Sequence, residues 1–169
     1  MLATAALFLP REVIFYEYKE KYIMTTYAQN RKAAFNYNIL KKYEAGIELH
    51  GFEVKAIRNS LASLQGAFVV INEGEAFLTN AQIAPYQKAN TPADYKEDRE
   101  RRLLLRKKEL EELEEQSKIK GLTLVPIRLY NKHGLIKLEL ALAKGKKKYD
   151  KRDTIKKRDV EREIKRKLK

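Results

Sequence analysis

A chain of 169 residues, 44% of them hydrophobic, can bury one good core and carry appendages, and it is too short for two full domains. A formal charge of +13 and a pI near 9.7 point to nucleic acid, an anionic membrane surface or an acidic protein as partner, and ten tyrosines with six phenylalanines tilt that choice towards RNA. The absence of cysteine excludes disulfides, thiolate metal sites and thiol catalysis. The apolar run from Ala5 to Leu9 is far short of a membrane span and has no basic residue before it, so neither a transmembrane segment nor a signal peptide is expected and a cytoplasmic location follows.

Residues 1–23 hold no helical or strand period for long, and Met24 opens a more conventional beginning, so 1–23 reads as an extension upstream of the natural start. From Asn30 the pattern tightens. Phe35, Tyr37 and Ile39 alternate with polar residues, as do Ile47 and Leu49 after a break at Gly46, which predicts two strands. Val54, Ile57 and Leu61 recur at helical spacing and predict a short helix over Glu53 to Leu61, after a turn at Gly51. Ala67 to Ile71, a turn around Gly74, and Ala76 to Thr79 read as a hairpin.

Lys88 to Glu100, polar and containing Pro92, reads as an exposed loop. A helix is predicted over Leu103 to Lys120, with Leu110 and Leu113 on its apolar face, basic residues in its last turn and Gly121 as its cap. Leu122 to Tyr130 and Leu135 to Leu142 flank an Asn131 to Gly134 turn as a second hairpin. Its second strand presents Ile136, Leu138, Leu140 and Leu142 on one face, with Lys137 and Glu139 on the other. About six short strands with two or three short helices and no βαβ rhythm predict a mainly β fold, a closed antiparallel barrel of the oligonucleotide-binding type over residues 24–144.

From Ala143 the apolar alternation stops and a basic arm begins. The segment 145–169 has too little apolar surface to make a core of its own, and it is expected to be disordered when free. Tyr149 sits between Lys148 and Lys151, the combination of an aromatic face with phosphate-neutralising charge that binds unpaired bases. Val160, Ile164 and Leu168 recur every fourth residue, but so narrow a stripe without a large aromatic is a poor membrane anchor, and no membrane partner is expected. His50 and His133 lack a second ligand at metal spacing, there is no glycine-rich phosphate cradle, and Glu111, Glu112, Glu114 and Glu115 read as the wet face of a helix. Neither enzyme activity nor a metal or cofactor is expected.

Taken together, NRKAAFNY (30–37), YEAGIELHGFEVKAIR (43–58), RLLLRKKEL (102–110), GLTLVPIRLYNKHGLIKLELALAKGKKKYDKR (121–152) and IKKRD (155–159) resemble the small protein B family, partners of transfer-messenger RNA in bacterial ribosome rescue. The likeness runs from about Asn30 to the C-terminus. It implies an oligonucleotide-binding-like barrel that grips the transfer-like domain of that RNA, with Asn30, Glu44, Leu104 and Lys137 on or supporting the gripping surface. It further implies that Gly145, Lys147, Lys148, Tyr149, Asp150, Lys151 and Arg152 enter the decoding region of the ribosome. Beyond them Ile155, Lys156 and Arg158 belong to a tail that becomes helical in the empty messenger channel. A monomer is expected. A barrel that contacts ribosomal RNA alone is the competing reading.

The physical chemistry of these positions agrees with the implied roles. A carboxylate such as Glu44 accepts hydrogen bonds from base amino groups, and Lys137, on the solvent face of its strand, can neutralise a phosphate. Leu104 and Asn30 rest on the resemblance alone. Asn36, Ala34, Leu61, Lys96, Glu97 and Arg106 depart from the residues usual in the family, and none of them is among the positions given a role.

Overall fold

Two tight turns set the hairpins. In the computed structural model Glu73 and Gly74 (φ 51° and 75°) close the first, and His133 and Gly134 (φ 52° and 81°) close the second. Two successive residues with positive φ twist in the sense of the strands they join, which is why each loop needs only two residues. The structure describes residues 25–147 together with 149, 150 and 166. The extension predicted at 1–23 and most of the basic arm lie outside the described residues.

Among the described residues the chain forms β1 (Thr26–Gln29), α1 (Ala33–Asn36), β2 (Tyr37–Ile47), α2 (Gly51–Arg58), β3 (Ala62–Ser63), β4 (Phe68–Asn72), β5 (Glu75–Thr79) and β6 (Gln82–Ile83). A 3-10 turn at Lys88–Asn90 precedes β7 (Arg101–Leu104), α3 (Lys107–Ser117), β8 (Leu122–Lys132) and β9 (Leu135–Gly145). The fold is mainly β, as expected, and every strand pairing is antiparallel. The pairings run β8-β4-β5-β7-β2-β9, and β9 returns to β8, so the main sheet bonds in a ring with β1 added to β8. Strands β3 and β6 form a separate pair. Inside the ring Leu78, Leu129, Leu138 and Leu140 are fully buried, joined by Ile57 of α2 and Leu113 of α3.

Three expectations are corrected. Gly46 does not separate two strands: β2 runs through it and ends at Ile47, leaving Leu49 outside any strand, and Gly46 is paired on both edges, with Leu104 and with Lys137. A Cβ on Gly46 would stand 3.1 Å from Leu104 Cβ, so the glycine allows β7 to approach closely and does not break the strand. Phe35, read as a strand residue, lies in α1, a single turn folded over buried Ala33. The helix predicted over Leu103–Lys120 begins only at Lys107, because Arg101–Leu104 is a strand whose Arg101 and Leu103 face inward. Lys118 and Lys120 fall beyond the last turn, and Gly121 (φ 92°) redirects the chain into β8.

The hairpin β8–β9 matches its prediction, with strands longer than expected. Leu138, Leu140 and Leu142 enter the main core, while Ala143 on the opposite face packs with Ala33 and Val125 in a second, smaller cluster beneath α1.

The Lys88–Glu100 loop is exposed along most of its length yet is tied down by a buried ion pair that the sequence did not announce. Glu53 and Arg101 are both wholly buried, and Arg101 Nε donates to Glu53 Oε1 at 2.9 Å. The other four guanidinium N–H groups donate to the carbonyls of Ala81, Arg99 and Glu97 and to the Tyr95 hydroxyl, so all five donors are used. Arg99 donates to both Glu53 oxygens, at 3.0 and 2.5 Å, and the His50 backbone N–H caps Oε2 at 2.8 Å. Burial opposes ionisation of Glu53, but the Arg99 and His50 hydrogen bonds and the charge of Arg101 outweigh it and hold the carboxyl below its ordinary range.

Replacing Glu53 by Gln leaves the Arg101 charge buried and unpaired, and the expected loss is about 3 kcal/mol in urea unfolding. Because the folded pKa is depressed, this contribution is complete above the ordinary glutamate value of 4.5 and disappears as pH falls through the folded value. The wild-type chain therefore loses stability on acidification more steeply than the Glu53→Gln variant, which unfolding curves at several pH values measure.

Candidate nucleic-acid interface

The period of two along a strand sends alternate residues out of the ring, and the register then lines them up across neighbouring strands. On β2, Tyr43 and Ala45 point into the core, so Lys42, Glu44 and Gly46 point out. Gly46 faces Lys137 of β9 on one edge and Leu104 of β7 on the other, and Glu44 faces Glu139. Across the hairpin Tyr130 faces Lys137 and Arg128 faces Glu139. Three residues with predicted roles, Glu44, Leu104 and Lys137, thus share one outer face of β7, β2 and β9. Leu104 is 55% exposed, the unusual state for a leucine in a strand, while its neighbour Leu103 occupies the core.

Glu44 is the most heavily bonded group on this face. Lys132 Nζ lies 2.8 Å from each of its carboxylate oxygens, and the Tyr130 hydroxyl donates to Oε2. These two hydrogen bonds hold the Glu44 carboxyl below its ordinary range against a smaller opposing effect of burial, with further help from the charges of Lys132 and Lys137. Burial and the adjacent carboxylate push the Tyr130 hydroxyl in the opposite direction, far up, so it remains a proton donor. Beside them Glu139 pairs with Lys42 at 2.8 Å and with Arg128, whose guanidinium lies 4.9 Å over the Tyr130 ring. Burial of Glu139 disfavours its charge, but Lys42 and Arg128 more than compensate and its carboxyl is also lowered.

A groove of about 290 Å³ adjoins this face, walled by Gly46, Leu104, Arg58, Leu135 and Lys137. The surface therefore combines a held carboxylate acceptor, four cations (Lys42, Arg128, Lys132 and Lys137) and exposed apolar side chains at Leu104 and Leu135. Base edges, phosphates and base faces are the corresponding ligands. The sequence reading missed Tyr130, Lys132 and Arg128. Their signal was present, since they alternate with inward Leu129 along β8, but without the register nothing linked them to Glu44.

Asn30 stands elsewhere. It follows β1, its backbone N–H donates to the Ile127 carbonyl at 2.8 Å and its side-chain amide to the Pro126 carbonyl at 3.3 Å. There it borders a second groove, of about 490 Å³, with Lys32, Asn36, Tyr37, Phe68 and Thr123. The root of the basic arm lies on this side as well. Gly145 ends β9 opposite Tyr37, and Lys146 donates from its backbone to the Asn36 carbonyl (2.9 Å) and from Nζ to that of Ala34 (3.0 Å). Just beyond, the Lys147 N–H donates to Asp150 at 3.0 Å, and Tyr149 is 72% exposed. Lys148, Lys151, Arg152, Ile155, Lys156 and Arg158 lie outside the described residues. Among the described residues no helix is long and apolar enough to cross a membrane.

Comparison with known proteins finds relatives that match most of the chain. The SsrA-binding protein of Trichodesmium erythraeum is 48% identical over 142 residues, covering 84% of this chain and 91% of its own length. That of Thermosipho africanus is 51% identical over 142 residues, covering 83% of this chain and 95% of the relative. A solved chain described as "tmRNA-SmpB: a journey to the center of the bacterial ribosome" superposes with a TM-score of 0.60 at 45% identity, over 71% of this chain and 84% of that one. Residues 27–169 match the family model described as SmpB protein, and with half-identical relatives spanning nearly their full length, the chain belongs to the SmpB family.

Proposed function

We propose that this protein binds the transfer-like domain of transfer-messenger RNA and delivers it to stalled ribosomes in trans-translation. The observation that carries the reading is the outer face of β7, β2, β9 and β8, where an ionised Glu44 sits among Lys132, Lys137 and exposed Leu104. The relatives are named for binding SsrA, and the solved neighbour is described with tmRNA and the bacterial ribosome. The ring of antiparallel pairings supports a closed barrel of the oligonucleotide-binding type over residues 24–144, with 145–169 as a separate basic arm. In this reading the barrel supplies Glu44, Leu104 and Lys137 to the RNA, with Asn30 bracing the β1 edge. The arm, from Gly145 through Tyr149 and Asp150 to Arg158, occupies the decoding region and the empty messenger channel. The protein acts by binding, as a cytoplasmic monomer without catalysis.

Sequencing the RNA that co-purifies with the protein from its own cytoplasm tests the reading directly: one dominant tRNA-like species is expected, whereas ribosomal RNA alone would replace it with the ribosomal barrel alternative. Affinity for the transfer-like domain falls with salt because counterion release gains less entropy in a more concentrated solution, by roughly a hundredfold over a fourfold rise if about four phosphates are neutralised. Glu44→Ala weakens this binding by about 1 to 3 kcal/mol, the worth of a base-directed contact. Tyr149→Ala, which changes no charge and removes an exposed ring, leaves the melting temperature and free-RNA affinity unchanged. It nevertheless lowers peptidyl transfer to alanyl transfer-messenger RNA on ribosomes with truncated messages, by the loss of about 1 to 3 kcal/mol of stacking.

A further inference from the structure

A side chain that reads a base must have its charge and direction settled before the base arrives, otherwise ordering it weakens binding. Glu44 has two partners within the protein, and they differ in kind. Lys132 is 40% exposed along a flexible stem. Tyr130 is only 4% exposed, and Arg128, itself tied to Glu139, covers its ring. We propose that Tyr130 is a positioning residue for RNA recognition, whose hydroxyl fixes the Glu44 carboxylate so that one acceptor position on Oε1 faces an exocyclic amine of an unpaired base. The inference rests on the reading of Glu44 as an RNA contact.

The count of acceptor positions leads to the ligand. A carboxylate offers about four. Lys132 takes one on each oxygen and Tyr130 a second on Oε2, which leaves a single position on Oε1. A single N–H donor fits it without displacing either partner, which matches the exocyclic amino group of an unpaired guanine, cytosine or adenine, with the ring N–H of guanine or uracil as the competing donor. The remaining charged groups beside the carboxylate on the neighbouring strand positions are Lys137 and Glu139 on β9 and Lys42 on β2, and Glu139 is already paired, with Arg128 and Lys42.

The test is a double-mutant cycle on the full chain with a labelled transcript of the transfer-like domain, read as Kd, its pH profile and the melting temperature. Tyr130→Phe should weaken binding about three- to tenfold in the wild-type background, the range of one ordinary net hydrogen bond, and leave it unchanged in the Glu44→Ala background. It should also move the loss of affinity on acidification to higher pH, since a carboxyl without its tyrosine donor protonates sooner, and that movement should be absent when Glu44 is Ala. Equal losses in both backgrounds would overturn the proposal, because Tyr130 would then act through the fold or on the RNA itself. No loss from Tyr130→Phe while Glu44→Ala weakens binding would overturn it too and leave Glu44 as a contact. Wild-type protein that fails to bind the transcript at all would instead remove the functional reading on which the proposal stands.

Discussion

The strand β9 is bonded along its length on both edges, to β2 on one side and to β8 on the other, and that double pairing closes the ring. Everything on the outer face follows from its register. A slip of one residue on either edge would turn Leu138 and Leu140 to solvent and bring Lys137 and Glu139 into the core, a cost of several kcal/mol for each misplaced side chain. The pairing that buries the leucines is therefore also the pairing that sets Gly46 against Lys137 and Tyr130 against Lys137. Core and interface are specified by a single choice. The irregularities between Ile39 and Lys41 on β2 and between Pro126 and Arg128 on β8 insert an extra residue on each side of β9, and such bulges increase the local bend that a closing sheet needs.

Two charge networks serve opposite ends. That around Glu53 is dry: Arg101 spends every donor inside the protein, and its carboxylate partner is inaccessible to any ligand. It anchors the 84–100 segment across α2 and so holds β7 in place beside β2. The network around Glu44 is wet and incompletely used. Lys132 is bound to the carboxylate by contacts that a phosphate can replace, as befits a surface that exchanges its internal pairs for external ones. Buried pairs resist such exchange because nothing outside can reach them to compensate for the desolvated charge.

The same strand joins the interface to the arm. Lys137 lies near the start of β9 and Gly145 at its end, separated by about 26 Å at the rise of an extended chain. Lys146 then ties the departing chain to α1 through two carbonyls. A paired strand between the Glu44 face and the root of the arm gives the two a constant separation, which suits a protein that engages two partners simultaneously in the proposed role.

Much of this was legible in the order of residues. The hairpins were, because Gly74 and Gly134 mark their turns and the flanking runs have the period of strands. So was the outward direction of Lys137, because it alternates with Ile136 and Leu138 along its strand. The strand β7 was not: in Arg101–Leu104 an arginine takes an inward position, and only the unseen Glu53, 48 residues away, makes that burial tolerable. Nor was Gly46 readable as a site of close approach, since a glycine that breaks a strand and one that admits a neighbouring strand look alike until the neighbour is present. Tyr130 and Lys132 alternated correctly all along, but alternation gives only the side of a strand a residue faces. Which carboxylate they meet depends on hydrogen-bond register between segments 86 and 88 residues apart, and that is decided by the closing of the ring.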